Sequence, residues 1–559
     1  MIEIKERWGL SKKGYWELDN NRIDIPNILF LEGEKFESPD FAEVTISDSK
    51  ESTLQIPSSI FEPNEGYNSI PSTFGYPEEI DDDYTRVKGG SEKIQVIFDQ
   101  EPDPNAELYI LGNSPQLLGR APSLFKKVID LRKKIPFHKL IYTPGIAQPN
   151  NIALLSYIGV DLFDSAFIEY MNLRNVELTD WMGFPGNQEN NRRNLYDELK
   201  ILREAIERNK IRELVESRVR AEPWMVEALR KADEEYEFFK NKLPVTGDRV
   251  NVTTREGLKR PDIKRFRERI KERYQPPERD VLLLLPCSAY KPYFQSRSHK
   301  RIREATSSAD WTNMHEIILT SPLGAVPREI ELFYPAQQYD IPVSHSWFAE
   351  EKQMILELMG SIIEKGQYKH IISHLPKDMD FILEKIDAID TTKGDHPTDD
   401  QSIERLRNTL KDYCGEGRGT RNKYLKENLC SFSRFQFGEK GEKLVEGAYI
   451  KGRYPDYKIM DDQHQRGMIV SKRGLISLTL HGAEILQKEN IFQAEIDDFQ
   501  PKGSVFAVGV KDADKKIAPE DEVIVVHEGE LRGVGPATMS GEEMKDAEAG
   551  EAVRLRHHA

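Results

Sequence analysis

Residues 280–299 read DVLLLLPCSAYKPYFQSRSH. The unbroken apolar run from Val281 to Leu285 is the signature of a strand covered on both faces, as in a parallel sheet flanked by helices. The pattern recurs downstream in MHEIILTSP (314–322) and KHIISHL (369–375), with the helical period of AEEKQMILELMGSIIEKG (349–366) between them. Alternation of this kind predicts an α/β core domain over residues 275–395. In such sheets ligands bind beyond the carboxyl ends of the strands, and Cys287 stands at that edge. A nucleophilic thiol needs a lowered pKa; Lys291, Arg297 and His299 follow closely enough to supply positive charge, and Tyr293 and Ser296 supply hydroxyls. The plainer reading is a buried structural cysteine before a Lys/Arg loop that touches solvent, and these residues alone leave both open.

Upstream the same rhythm appears. ELYILG (107–112), HKLIYTPG (138–145) and VDLFDSAF (160–167) are strand-like, whereas LFKKVIDLRKKI (124–135) and NNIALLSYIG (150–159) are helical. Before residue 100, short strands such as IPNILFLEG (25–33) and AEVTIS (42–47) alternate with turns, and the acidic run 78–83 reads as a solvated loop. Leu195, Leu199, Leu202 and Ile206 keep a helical period and announce a core-packing helix; a second runs from about Pro223 to Lys240. Between Lys259 and Arg273, eight Lys or Arg face three acids, with Pro261 as first helical residue. Alone, such a run is a solvated helix; beside an RNA-binding module, Lys264, Arg265, Arg267, Arg269 and Lys271 become backbone contacts. The turn-rich segment 391–401 opens an α+β connecting module over 396–485, and short strands separated by Gly, Asp and Pro fill 486–559.

Composition bounds the rest. At about 150 residues per domain, 559 residues make several domains. A hydrophobic fraction of 38% supports packed cores, and the absence of an eighteen-residue apolar run argues against a membrane span. The charged N-terminus lacks a signal-peptide core, and three cysteines make no disulfide framework or four-cysteine zinc site, so a cytoplasmic protein is expected. The net charge of −16 disfavours a polyanionic partner only on average, because nucleic acids bind local patches. Two further candidates for chemistry are Asp164, at a strand end, whose commoner fate is a cap, and Arg328 with Glu329 in SPLGAVPREIE (321–331), equally readable as a surface ion pair. His370 and His374 are four apart, but on a strand, which does not suit a metal.

Pro286-Cys287, Lys291-Pro292-Tyr293, Ser296 and His299 match a PC-x3-KPY-x2-S-x2-H signature at seven positions. By it the chain resembles the archaeosine synthases, tRNA-modifying enzymes related to tRNA-guanine transglycosylases. The resemblance implies a multidomain α/β chain: a degenerate transglycosylase-like (β/α) barrel over 1–250, the central α/β core domain, the connecting module, and a C-terminal PUA domain over 486–559 that grips tRNA, Gly533 and Gly535 being part of its Gly-loop surface. It departs from functioning transglycosylases in lacking cysteines between residues 165 and 260, so their zinc site has no ligands here and no cofactor is expected; Asp164, at the nucleophile position, lacks its usual partners.

The resemblance further implies a substrate, tRNA carrying 7-cyano-7-deazaguanine (preQ0) at position 15 of the D-loop, and an amine donor, lysine first, added to the nitrile on the way to the formamidine of archaeosine. On that reading Cys287 adds to the nitrile, His299 serves as acid/base, and Lys291 stabilises the thiolate or anchors a carboxylate. Ser296 and Tyr293 orient the groups, and Asp164, Pro286, Pro292, Arg297 and Arg328 shape the substrate site. Direct amine attack is the competing route. A radical-SAM protein and a second copy of the chain are the protein partners left open. The alternative functions are a zinc-free transglycosylase acting through Asp164 and a non-catalytic tRNA-binding scaffold.

Overall fold

The computed structural model describes residues 1–18, 21–32, 37–46, 93–98, 100–118, 121–187, 189–343, 346–415, 420–462 and 464–559. The acidic run 78–83 lies outside them. The chain divides into two compact units: residues 1–243 with 506–510 and 539–552, and residues 244–505 with 511–538 and 553–559. No helix among the described residues is long and apolar enough to cross a membrane.

In the first unit the strands Ile2–Trp8, Ser11–Leu18 and Asn21–Ile25 form an antiparallel meander. A six-stranded parallel sheet follows, in the order Val44–Ile46, Asn27–Leu31, Leu162–Asp164, Leu140–Tyr142, Leu108–Leu111, Ile94–Ile97. Successive side chains of a strand face opposite ways. Ile28 and Phe30 accordingly join one apolar cluster, with Leu124, Val128 and Leu199 of the helices, and Leu29 joins another, with Trp16, Ile23 and Ile25 of the meander. Burial on both sides explains the continuous apolar runs. The expected closed barrel is not found: among the described residues the sheet is open, with Val44–Ile46 and Ile94–Ile97 as its edges.

The second unit is built on a five-stranded sheet in the order Gly324–Pro327, Met314–Thr320, Val281–Pro286, His370–Ser373, Ile389–Asp390. Only Gly324–Pro327 is antiparallel to its neighbour. Val281–Pro286, first of the five in sequence, lies at the centre, with no solvent reaching Val281 to Leu285. The chain moves from it to Met314–Thr320 on one side and later crosses to His370–Ser373 on the other. The strand order therefore reverses at Val281–Pro286, the place where open α/β sheets form a crevice. The unit also holds the helices Pro261–Glu272, Arg297–Thr306, Ala349–Gly366, Asp400–Cys414 and Arg421–Phe437, a four-stranded antiparallel sheet from Tyr449–Arg453 to Leu475–Leu478, and the strands Gln493–Ile496, Glu522–His527, Glu530–Pro536 and His557–His558.

Candidate active site

Beyond the carboxyl ends of the central strands lies a cavity of about 840 Å³. Pro286 and Cys287 line it, together with Ser321, Glu351, Asp378 and His396. The volume suits a nucleobase with a second small reactant. Ser321 Oγ donates to Glu351 Oε1 at 2.5 Å, and the backbone N–H of Phe348 donates to Glu351 Oε2 at 2.8 Å, so that carboxylate is held in place. Asp378 accepts from the Trp347 indole at 3.1 Å. Sequence reasoning missed Ser321 and Asp378, although the rule that found Cys287 finds them too. They follow Met314–Thr320 and His370–Ser373, the neighbouring parallel strands.

The Cys287 thiol sits over a small polar cluster. Tyr293 and Tyr339, both buried, share a hydrogen bond of 2.6 Å, and Tyr339 meets Thr320 Oγ1 at 2.5 Å. Lys291 Nζ lies 4.0 Å from the centre of the Tyr339 ring, a cation–π contact. The expected lowering of the Cys287 pKa is not found: burial pushes the thiol up, and the Lys291 charge with the Thr320 hydrogen bond offsets part of this. Burial also pushes the Lys291 ammonium down, against the pull of Cys287. Both shifts raise the cost of a thiolate–ammonium pair above what it would be in water.

His299 does not face the cavity. It is 1% exposed; Arg328 Nη2 donates to its Nδ1 at 2.8 Å, and its Nε2 lies 3.0 Å from the carbonyl oxygen of Pro286. Arginine can only donate, so Nδ1 accepts and Nε2 carries the hydrogen that goes to Pro286. Both ring nitrogens are used, and burial together with Arg328 holds the imidazole neutral, well below its usual pKa. His299 is therefore a positioning residue for the strand end that carries Cys287, not the expected acid/base. Ser296 is the N-cap of the helix Arg297–Thr306, accepting from the His299 N–H at 3.2 Å, so its hydroxyl is spent on the helix. Arg297 is exposed at the first turn, and Pro292 is half-buried away from the cavity wall. Arg328 is bound to Glu316 at 2.7 Å and Glu331 at 3.2 Å besides His299, so it secures structure rather than substrate in the Cys287 cavity.

The remaining expectations fare unevenly. Asp164, 1% exposed, accepts from Tyr142 Oη at 2.5 Å and from the N–H groups of Gly145 and Ala166, both at 2.8 Å. Burial raises its pKa against these bonds, which anchor the carboxylate from both oxygens. The basic helix, Pro261–Glu272, is largely packed: Arg265 and Arg269 are buried, Arg265 donates to Pro244 O, and Arg267 donates to Leu258 O at 2.8 Å. Lys264 is half-buried, and exposed Lys271 pairs with Glu357 at 3.2 Å. It is not the cationic face the charge count suggested. Gly533 and Gly535 are buried on Glu530–Pro536; a Cβ at Gly535 would lie 2.1 Å from Arg554 O, and one at Gly533 2.9 Å from His557 O. Close backbone approach, not an exposed loop, requires glycine there. Among the described residues no group of three or more His, Cys, Asp or Glu is placed to hold a metal ion.

Comparison with known proteins bears on the same segments. A family model described as a domain of unknown function (DUF5591) matches residues 263–410, which include Cys287, and the PUA domain model matches residues 497–559. Archaeosine synthase subunit alpha of Methanosarcina acetivorans is 35% identical over 499 residues, covering 81% of this chain and 80% of that protein. Archaeosine synthase of Haloferax volcanii is 32% identical over 500 residues, covering 83% and 84%. The tRNA-guanine(15) transglycosylase of Methanobrevibacter smithii is 26% identical over 585 residues, covering 96% and 82%. With identity above 30% across four-fifths of both chains, this chain belongs to the archaeosine synthase family.

Proposed function

We propose that the chain is a tRNA-modifying enzyme of archaeosine synthesis and that Cys287 opens the cyano group of preQ0 held at position 15 of the D-loop. The observation that carries this reading is the placement of Cys287 on the wall of a cavity large enough for a nucleobase and a second reactant, at the reversal point of the sheet, with Lys291 close by. Nitrile carbon is electrophilic but slow toward a neutral amine, and a covalent intermediate divides that step. The sulfur bonds to the nitrile carbon, one C–N π bond breaks, and the nitrile nitrogen takes the proton that left the thiol, giving a thioimide. The donor's amine then bonds to the same carbon and the C–S bond breaks. The thiolate recovers a proton from the amine, leaving an amidine. Lys291, with its depressed pKa, is the group suited to carry the proton in both directions. Glu351 and Asp378 on the cavity wall suit the ammonium of an amino-acid donor such as lysine. Conversion to the formamidine then falls to a partner protein, of radical-SAM type on the family resemblance.

A D-loop base takes part in the tertiary core of tRNA and must be unstacked to enter a pocket, at a cost of a few kcal/mol. Binding at a distance has to offset that cost, and the PUA domain is the segment suited to it. Base exchange through Asp164 is disfavoured by the three hydrogen bonds that occupy its carboxylate. The test is nucleoside mass spectrometry of preQ0-tRNA incubated with the protein and candidate amines. The expected result is an amidine adduct with the parent chain and none with Cys287→Ala. An adduct formed by Cys287→Ala at the parent rate refutes the thioimide. Tight tRNA binding with no product from any amine points instead to a scaffold.

A further inference from the structure

The helix Arg297–Thr306 has a cavity on each side. Ser298 and Ile302 line the Cys287 cavity, whereas Arg303 and Thr306, with Ser307 beyond the helix end, line a second cavity of about 400 Å³. Leu425, Leu429, Phe432 and Ile469 give the second cavity an apolar floor. Tyr424, Tyr457 and Trp311 add aromatic walls, with Trp311 edge-on to Tyr424 at 4.7 Å between ring centres and itself 37% exposed.

Charge is distributed unequally around it. Arg328, part-buried, and Glu331, buried, are satisfied by each other and by their neighbours, so they are not available to a ligand. Two exposed guanidiniums are: Arg303 makes no ion pair among the described residues, and Arg421 lines the cavity beside the Tyr457 ring. Glu316 Oε2 accepts from Arg328 Nε, and its Oε1 accepts no hydrogen bond among the described residues. Aromatic walls, an apolar floor, one open acceptor and two available guanidiniums form a set with a specific chemistry. A purely apolar ligand would leave the arginines unpaired, and a small dicarboxylate would leave the rings unused. A planar base uses the rings and the acceptor, and its phosphate uses the arginines.

We infer that the second cavity is a nucleotide subsite, taking a nucleoside 5′-monophosphate unit with its base against the aromatic walls and its phosphate on Arg303 and Arg421. The unit has two sources of the same chemistry: an unstacked nucleotide of bound RNA, or a free mononucleotide.

The experiment uses the full chain, the double variant Arg303→Ala/Arg421→Ala, and Ser307→Trp, which plugs the cavity mouth without changing charge. All three positions are exposed, and urea unfolding checks that the variants stay folded. Calorimetry measures binding of GMP and AMP, and filter binding measures a tRNA transcript across a salt series. If the nucleotide belongs to RNA, both variants weaken tRNA binding at least tenfold, and the double variant flattens the plot of log Kd against log salt by about 1. If it is free, GMP or AMP binds the parent chain and neither variant, with tRNA affinity unchanged. The inference is overturned if neither mononucleotide binds the parent and Ser307→Trp binds tRNA as the parent does, even where the double variant is weaker. Losing two surface charges alone would then account for that weakness. No amine donor or turnover is involved, so failure of the Cys287 reaction and failure of this subsite are read separately.

Discussion

Replacing His299 separates a positioning role from proton transfer. In His299→Leu the Arg328 N–H and the Pro286 carbonyl, bonded to the ring at 2.8 and 3.0 Å, lose their partner in a site 1% exposed. A buried polar group left unsatisfied costs about 1–3 kcal/mol, so the two together remove about 2–6 kcal/mol from the stability of the second unit. His299→Gln offers an acceptor for Arg328 and a donor for Pro286 on one planar amide, and it recovers most of that loss. Urea unfolding followed by circular dichroism reads the stability, and single-turnover nucleoside mass spectrometry reads the chemistry. The expected outcome is a low urea midpoint and weak activity for Leu, with Gln near the parent in midpoint and within tenfold in rate. A lost general acid would instead cost 10²- to 10⁴-fold. A Gln variant with the parent's midpoint, a rate a hundredfold or more lower, and a pH–rate profile missing one limb would refute the positioning role.

Other outcomes follow from the same geometry. Alkylation of Cys287 by iodoacetamide should accelerate up to and beyond pH 9 with no plateau near neutrality, because burial raises the thiol's pKa, and Lys291→Met should slow it. His299 and His374 (the latter lowered to about 4 by burial) are neutral when folded, so the unfolded chain binds more protons below its histidine pKa near 6.5. Their stabilisation is complete above pH 6.5 and falls as pH drops below it. Each histidine then costs about 1.4 kcal/mol per unit, measured as a urea midpoint declining from pH 6.5 to 5. Lys271→Ala should leave tRNA affinity within twofold, whereas Arg265→Ala should lower the unfolding midpoint, because Arg265 is buried on Pro244 O. Gly535→Ala should destabilise strongly: its Cβ would lie 2.1 Å from the carbonyl oxygen of Arg554, and a backbone atom yields little.

Much of the central sheet was legible because Val281 to Leu285 are apolar without interruption, and the strand-end rule points to the edge where Cys287 lines a cavity. What the rule does not give is direction. A helix brings every third or fourth residue to the same face, so His299, three residues after its cap, turns inward to Pro286 although its distance from Cys287 along the chain suggested a shared site. Charge counting failed on Pro261–Glu272 for a related reason. Arg265 and Arg269 lie one turn apart on the face that packs inward, and long side chains can bury their stems and donate to carbonyls at the end. Glu351 and Tyr339 were out of reach, because only the folded chain brings residues fifty or more positions away to the thiol. The strand–helix alternation of the first unit was legible as an α/β layer, whereas the closed barrel, taken from the resemblance, is not what the described strands form.

The imidazole of His299 makes the cysteine loop inseparable from a distant part of the chain. Its register is tied to Arg328, and through Arg328 to Glu316 and Glu331. The stretch 280–299 is thus no portable cassette: grafted onto another α/β scaffold without that arginine and its two carboxylates, it would keep its letters and lose the aim of its sulfur. Homologues that alter any of the four should alter the others in step.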